Sequence, residues 1–402
     1  MSLFPWVNVY LEASRGYDDW VEACANAVDA TMGEATVESP VRGTGIEVGV
    51  SRLVSISELE PLWSDLEARA DPSFFLSWDW IRTWLEVSAA RPLVVVARAG
   101  RGVVGLGLFN GTRRRRFGMA WPALALNETG RDEQDCIMIE DNGLLAERGL
   151  EAKVTSACLN HIATAVAEWR EVRLSGVPKV VADAARMLGL PVRTEAQRVA
   201  HVVDMAAVSA DGQLASLSAN ARQQINRSLR LYGERGAVTF ERSPRLDVAM
   251  TRFGELEALH QQRWRAKGKP GAFGAPFFGR FHRALLARGF PRGTVDVLRV
   301  AAGSETIGLL HTFIYKNEAY AYQSGFSFER DARLKPGLVS HLLAIRHCRD
   351  LGLRRYRLLA GDSRYKRSLA TGSYELYWLS VRRPSAAFRL EQLARRIAGR
   401  EP

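Results

Sequence analysis

Residues 294–383 constrain the fold more than any other stretch, because they spell out a whole order of elements. Three runs alternate apolar with polar residues, at 295–301, 306–315 and 318–328. Turn residues separate them, Ala302-Gly303-Ser304 and then Lys316-Asn317. A period of two with short turns predicts an antiparallel meander. A loop with Arg333, Lys335, Pro336 and Gly337 follows, then an amphipathic helix over 338–351 that Gly352 stops. A short strand at 356–359 ends in Gly361-Asp362, one helical turn follows, and 374–381 forms a last strand. This order puts a helix N-terminus at the end of a central strand. The unpaired N–H groups there suit an anionic ligand.

The first half reads as a weaker copy of the same unit. Residues 46–53 alternate as a strand, and Ser57 caps a helix that runs to Arg69 and breaks at Asp71-Pro72. Ser77 starts a second helix over 78–88, with Trp80, Ile81, Trp84 and Leu85 on one face. A hairpin follows, 93–99 and 103–109 around Gly100-Arg101-Gly102. After it come 121–126, a polar loop, 136–139, a long helix near 147–169, a strand at 171–174 and a helix at 179–188. Val103-Val104-Gly105-Leu106 parallels Thr306-Ile307-Gly308-Leu309, and Arg170–Gly176 parallels Arg355–Gly361. Two similar lobes create a cleft, and clefts between lobes hold ligands. The expected architecture is α/β (α+β), with two tandem lobes over 46–205 and 206–402. Each lobe carries a mixed, mostly antiparallel sheet flanked by helices. Residues 1–45 are expected to be a weakly ordered extension.

Charge has two readings. The net charge is +11, and of the 55 basic residues only seven are lysine. An arginine-rich genome explains that excess, and so does attraction to an anionic partner. Residues 211–236 link the lobes with Arg222, Arg227, Arg230 and Arg235 at helical spacing, either a solvated face or a clamp for a charged polymer or phosphate. The run Arg113-Arg114-Arg115-Arg116 reads as a solvated loop, with contact to an anionic glycan or lipid as the alternative. The four cysteines stand far apart without a CxxC pair, which predicts reduced thiols and no metal. No run is long enough to span a bilayer, and the first residues lack the pattern of a secretory signal. The expected compartment is the cytoplasm. No helix-turn-helix word or basic patch interleaved with aromatics appears, so DNA is not an expected partner.

Several words resemble a known family. They are Leu259-His260-Gln261-Gln262-Arg263-Trp264, Pro270-Gly271-Ala272-Phe273, Tyr322-Gln323-Ser324-Gly325-Phe326, Lys335-Pro336-Gly337-Leu338 and Gly361-Asp362-Ser363-Arg364-Tyr365-Lys366. In this order they resemble the GNAT acyltransferase superfamily, and within it the FemAB-related branch with CelD-like proteins of polysaccharide operons. The resemblance covers residues 46–383. The linker, with Ser218, Asn220, Arg222, Arg227 and Arg230, is similar to a basic helical segment of FemAB relatives.

The resemblance implies an acyltransferase that uses acetyl-CoA or a longer acyl-CoA and no metal. The acceptor would be an amino group or hydroxyl on a sugar, a polysaccharide precursor or an amino acid. Direct transfer needs a phosphate cradle, a base for the acceptor and an acid for the leaving thiolate. The cradle is expected at Arg333, Lys335, Pro336, Gly337 and Leu338, although only one glycine of the usual family signature is present. His260 is the expected base and Tyr365 the expected acid, with Asp362 orienting the acceptor. Asp362 is also a candidate helix cap. Trp264, Tyr322, Gln323 and Lys366 are expected to bind substrate. His311, His341 and His347 are read as structural. Two alternatives stay open: a FemX-like transferase that uses aminoacyl-tRNA, and an inactive scaffold bound to polysaccharide-synthesis proteins.

Overall fold

The computed structural model describes residues 39–40, 45–116, 119–167, 169–209, 214, 217–384 and 388. The expected extension over 1–45 lies outside these residues except at 39–40 and 45. The first half contributes β1 (Ser39–Pro40), β2 (Glu47–Arg52), α1 (Ile56–Arg69), α2 (Trp78–Ser88), β3 (Leu93–Ala99), β4 (Gly102–Arg116) and β5 (Met119–Leu126). It continues with β6 (Leu145–Ala146), α3 (Glu151–Ala165), β7 (Glu171–Pro178), α4 (Lys179–Arg186) and β8 (Val192–Asp204). The second half contributes α5 (Ala219–Gly233), β9 (Val238–Glu241), α6 (Leu246–Arg265), α7 (Pro276–Gly289), β10 (Val295–Ala302), β11 (Glu305–Tyr315) and β12 (Glu318–Phe326). It ends with α8 (Pro336–Asp350), β13 (Arg355–Ala360), α9 (Arg364–Leu369) and β14 (Gly372–Arg382).

The strands form one sheet in the order β1-β2-β3-β4-β5-β7-β14-β8-β13-β12-β11-β10-β9, with β6 beside β4. Pairing is antiparallel except at β5–β7 and β12–β13, which are parallel. Each half therefore has a meander followed by one parallel strand, as the repeat predicts. The last strands are exchanged. β8, from the first half, lies beside β13, while β14, from the second half, lies beside β7. β8 and β14 pair with each other along most of their length.

The largest apolar cluster belongs to both halves. Phe74 stacks on Phe313 with ring centroids 4.3 Å apart, and Phe75 and Trp80 pack edge-on against the same ring. Each such aromatic pair adds about 0.5–1.5 kcal/mol beyond the burial itself. Polar contacts close the rim: the Tyr315 hydroxyl donates to Glu67 at 2.7 Å, and Lys316 Nζ donates to the Glu67 carbonyl at 2.7 Å.

Three expectations need correction. Ser55, not Ser57, caps α1: its hydroxyl accepts the Ser57 amide, because the helix starts one residue before Ser57. The arginine run is strand, since β4 continues to Arg116 and its backbone pairs with β5. Arg114 there lies 4.0 Å from the buried carboxylate of Glu171. Residues 136–139 make no strand; a 3-10 turn over Asp135–Ile137 stands there instead.

Candidate functional site

The parallel pair β12–β13 opens. It pairs Glu318 with Arg355, Ala319 with Tyr356 and Tyr320 with Arg357, and then stops. Both strands bulge just beyond. On β12, Thr312 faces Ala321 while His311 faces Gln323, which leaves Tyr322 as the extra residue. On β13, Leu358 is the extra residue, and Leu359 takes a left-handed φ of 62°. A bulge turns its strand and increases local twist. Two bulges side by side separate the strands, and their facing N–H and C=O groups no longer bond to each other.

Four elements line this gap. Helix α8 starts on its far side. Pro336 occupies the first turn and has no N–H to leave unpaired, so Gly337 and Leu338 hold the first free donors. A Cβ at Gly337 would come within 3.3 Å of the Phe326 ring. The Lys335 amide is already taken, since it donates to the buried Ser228 hydroxyl at 2.9 Å. That bond fastens α5 to the start of α8. Arg222, Arg227 and Arg230 are exposed on α5. Arg333 is paired with Asp331 in the loop and is exposed.

Deeper in the gap, His341 of α8 reaches across from Phe326 to β13. Its Nδ1 lies 2.8 Å from the Tyr356 hydroxyl. Burial, and then the Lys366 charge, push it down to about 3, so it is neutral. Tyr365 stacks on its ring with centroids 5.0 Å apart. Burial pushes the Tyr365 phenol up to about 12, so it keeps its proton at neutral pH. Lys366 donates to the carbonyls of Leu359 at 3.2 Å and Ala360 at 2.7 Å. Burial lowers Lys366 to about 8 against the opposing pull of Glu140.

The first half supplies a wall that sequence reasoning missed. The Tyr322 hydroxyl donates to the carbonyl of Ile137. Glu140 Oε2 accepts the Ala360 amide at 2.8 Å. Asp141 accepts from Arg357 at 3.1 Å and from the Tyr374 hydroxyl at 2.7 Å. No periodic signal marks residues 137–141, because their partners stand more than 180 residues away.

Helix α6 crosses β12 at Gly325, where a Cβ would meet the Leu256 carbonyl oxygen at 2.7 Å. This close crossing carries His260 and Trp264 along. His260 is buried, with Nδ1 3.2 Å from Gln261 Oε1 and its ring against Trp264 and Phe273. Burial lowers it to about 4. Gly271, at φ 67°, folds the following loop back onto it. Lys267 and Lys269 lie over the Trp264 ring. The positive charge of Arg263, one turn from His260, is felt at Tyr365.

The fold thus brings Tyr365 and Lys366 to one gap, with α6 beside it, while the Tyr322 ring packs into the large apolar cluster against Phe75, Trp80 and Phe313. Asp362 does not join Tyr365 and Lys366: its side chain is 71 % exposed and paired with Arg367, and Ser363 rather than Asp362 precedes α9. Gln323 Oε1 accepts the Ser324 amide at 3.0 Å. Of the three histidines read as structural, His311 meets His282 at 3.3 Å, and His347 lies against Phe240.

The matching gap in the first half is closed. β5 and β7 pair from Ala123–Glu171 to Ala125–Arg173 and then part. Asn142 fills the opening. Its Nδ2 donates to Leu126 at 2.9 Å and to Ser175 at 3.1 Å, and its amide donates to Gly176 at 3.0 Å. A Cβ at Gly176 would sit 2.4 Å from the Ile139 carbonyl oxygen. The segment that closes one gap therefore walls the other. Asn142→Leu should cost about 2–3 kcal/mol in denaturant unfolding, since it strands buried carbonyls on both strands. A loss below 0.5 kcal/mol, as an order-of-magnitude limit, would show that the plug is dispensable.

Residues 219–367 match the family model described as an acetyltransferase (GNAT) domain, a span that contains the parting of β12 and β13 and the start of α8 but not the first-half wall. The second half of the chain is thus similar to acetyltransferases of the GNAT type. Its fold is similar to a solved structure of FemX (TM-score 0.55, 9 % identity, 85 % of this chain and 99 % of that one). It is also similar to the C-terminal domain of a putative lysylphosphatidylglycerol synthetase from Agrobacterium fabrum (TM-score 0.51, 13 % identity, 85 % and 97 % covered). No curated protein matches this sequence significantly. No helix among the described residues is long and apolar enough to cross a membrane.

Proposed function

We propose that this protein transfers an acyl group from acetyl-CoA or a longer acyl-CoA to an amino group or hydroxyl. The acceptor is a sugar, a polysaccharide precursor or an amino acid, in keeping with the resemblance to the FemAB-related and CelD-like branch. The observation that carries this reading is the opened β12–β13 pair running to the start of α8. The pantetheine arm is extended and carries amide groups, so an unpaired strand edge can bond to it as it would to another strand. The pyrophosphate then meets the Gly337 and Leu338 amides and the charges of Lys335 and Arg333. Tyr365, protonated and inside the gap, supplies a proton to the departing thiolate. Lys366 and Trp264 border the acceptor's side, and Tyr322 forms part of the packed wall.

His260 and Glu140 are the two candidates for the base. Acyl-CoA places the reaction in the cytoplasm, where polysaccharide-synthesis proteins are possible partners. A scaffold without activity is the reading that failure of donor binding would leave.

One observation favours a second donor. The Ser228–Lys335 bond sets the exposed arginines of α5 beside the cradle, and only two cradle amides are free of the bonds described. Aminoacyl-tRNA, a polyanion, would use that face. Calorimetric titration with acetyl-CoA and a long-chain acyl-CoA tests the main reading. Binding of either at micromolar affinity is expected. Binding of neither, with binding of aminoacyl-tRNA that RNase abolishes, would overturn it in favour of the second.

A further inference from the structure

We propose that Glu140, a residue of the first half, is the general base of the second half's active centre. This rests on the acyl-CoA reading above. Glu140 belongs to the segment that plugs the first-half gap, yet its carboxylate leaves that gap and lies against the end of β13. Oε2 accepts the Ala360 amide at 2.8 Å, while Oε1 makes no hydrogen bond among the described residues. Lys366 grips the other face of the same peptides through the Leu359 and Ala360 carbonyls. The carboxylate is thus held by one oxygen, with the other available, where β12 and β13 have parted. A clamp for β13 alone needs no charge at this place, since a neutral amide would accept the same N–H.

The groups facing Glu140 come from every neighbouring element. Lys366 of α9 and Arg198 of β8 favour its charged form, while Asp141 beside it disfavours that form. The phenols of Tyr322 on β12 and Tyr374 on β14 also feel its charge. Burial dominates and raises Glu140 to about 7. A base matched to neutral pH outperforms one as weak as the buried His260, which stands near 4.

The step balances without a further reactant. Glu140 takes one proton from the acceptor's ammonium group. The freed nitrogen pair forms a bond to the thioester carbonyl carbon, and the carbon–sulfur bond breaks. The second nitrogen proton passes to Tyr365 as Tyr365 gives its own proton to sulfur, so the phenol is restored. Glu140 then releases its proton to solvent.

The test compares the full-length chain with Glu140→Gln and Glu140→Asp. Thiol release from acetyl-CoA is followed with a panel of amino sugars and amino acids, beside calorimetric titration of acetyl-CoA. Glu140→Gln should lower kcat about 100-fold or more, with donor affinity within about twofold. The acidic limb of wild-type kcat/KM, centred near pH 7, should be absent from the residual rate. Glu140→Asp should recover part of the rate. Thermal unfolding checks the raised carboxyl separately from turnover. A raised carboxyl makes the wild type lose stability as pH rises from its unfolded value near 4.5 towards 7, so the variant should gain relative to wild type across that window.

Turnover of Glu140→Gln near the wild-type level would overturn the proposal. So would equal losses of turnover, donor affinity and melting temperature, which mark a clamp. A wild-type protein that binds the donor but releases thiol with no acceptor also overturns it. Failure of the wild type to bind any acyl-CoA sinks the donor reading first, and is distinguishable because it appears before any substitution is made.

Discussion

Arg357→Met is expected to destabilise the protein by about 3–5 kcal/mol, the usual cost of removing one partner from a buried ion network. Arg357 is the meeting point of three elements and both halves. Its guanidinium donates to Glu318 of β12, to Asp141 of the first half and to the Tyr374 hydroxyl of β14. Its plane also lies 5.4 Å from the Tyr320 ring centroid. Methionine fills similar volume but leaves Asp141 with only a phenol. Glu318 keeps Arg354 and Arg355, so Asp141 is the group left most exposed to the loss. The pH dependence follows from the two carboxyls. Burial raises Asp141, and Arg357 only partly opposes it. Burial also pushes Glu318 up, but Arg357 and Arg354 outweigh it and hold the group below its usual range. Glu318 therefore stabilises the wild type above its unfolded value, and this contribution is lost as pH falls through the lower folded value. In the variant both groups protonate more readily, so the deficit should be larger at pH 7.5 than at pH 5. Urea unfolding at the two pH values measures it, and a deficit under about 1 kcal/mol at pH 7.5 would refute the network's importance.

The Lys335→Glu/Gly337→Asp double variant should lose acyl-CoA binding by at least about 100-fold. The change removes one positive charge and adds two negative ones at the start of α8. Each unit charge about 6 Å from a phosphate is worth roughly 3 kcal/mol at an effective dielectric of about 20. A carboxylate also occupies the dipole end that would otherwise favour the anion. Gly337→Ala separates charge from shape, because its methyl group meets only the edge of Phe326. It should lose far less affinity than the double variant. Both positions are half-buried and away from the main core, so melting temperature should change little. Unchanged donor affinity in the double variant would remove the cradle from the start of α8.

Much of this was legible because the second-half meander buries regular faces. The strands and helix over 295–350 appear within a few residues of their patterns. β8 was not, since it lies between two strands with both faces partly exposed and shows no clean alternation. The sequence reading omits α7, although Pro276 at its start and Gly289 at its end are the usual signals. The arginine run misled because charge density reports hydration only when no buried carboxylate waits opposite, and Glu171 does. Around the candidate site, Tyr365 and Lys366 were legible as part of a short word near a strand end, and their roles rest on the proposed function. Glu140 and Asp141 were not. Their chemistry depends on Ala360, Lys366 and Arg357, which only the folded chain brings near.

The exchange of β8 and β14 fixes how this enzyme can move. Two lobes joined by a linker can swing apart like jaws, and many clefts admit their ligands that way. Here each half holds an inner strand of the other's sheet, and a swing would tear ladders on both sides. Under the proposed function, ligand entry falls to the loops around the gap, such as the Gly268–Gly271 turn, while the sheet acts as a rigid chassis. A chain cut between its halves would yield two fragments that fold only as a reconstituted pair.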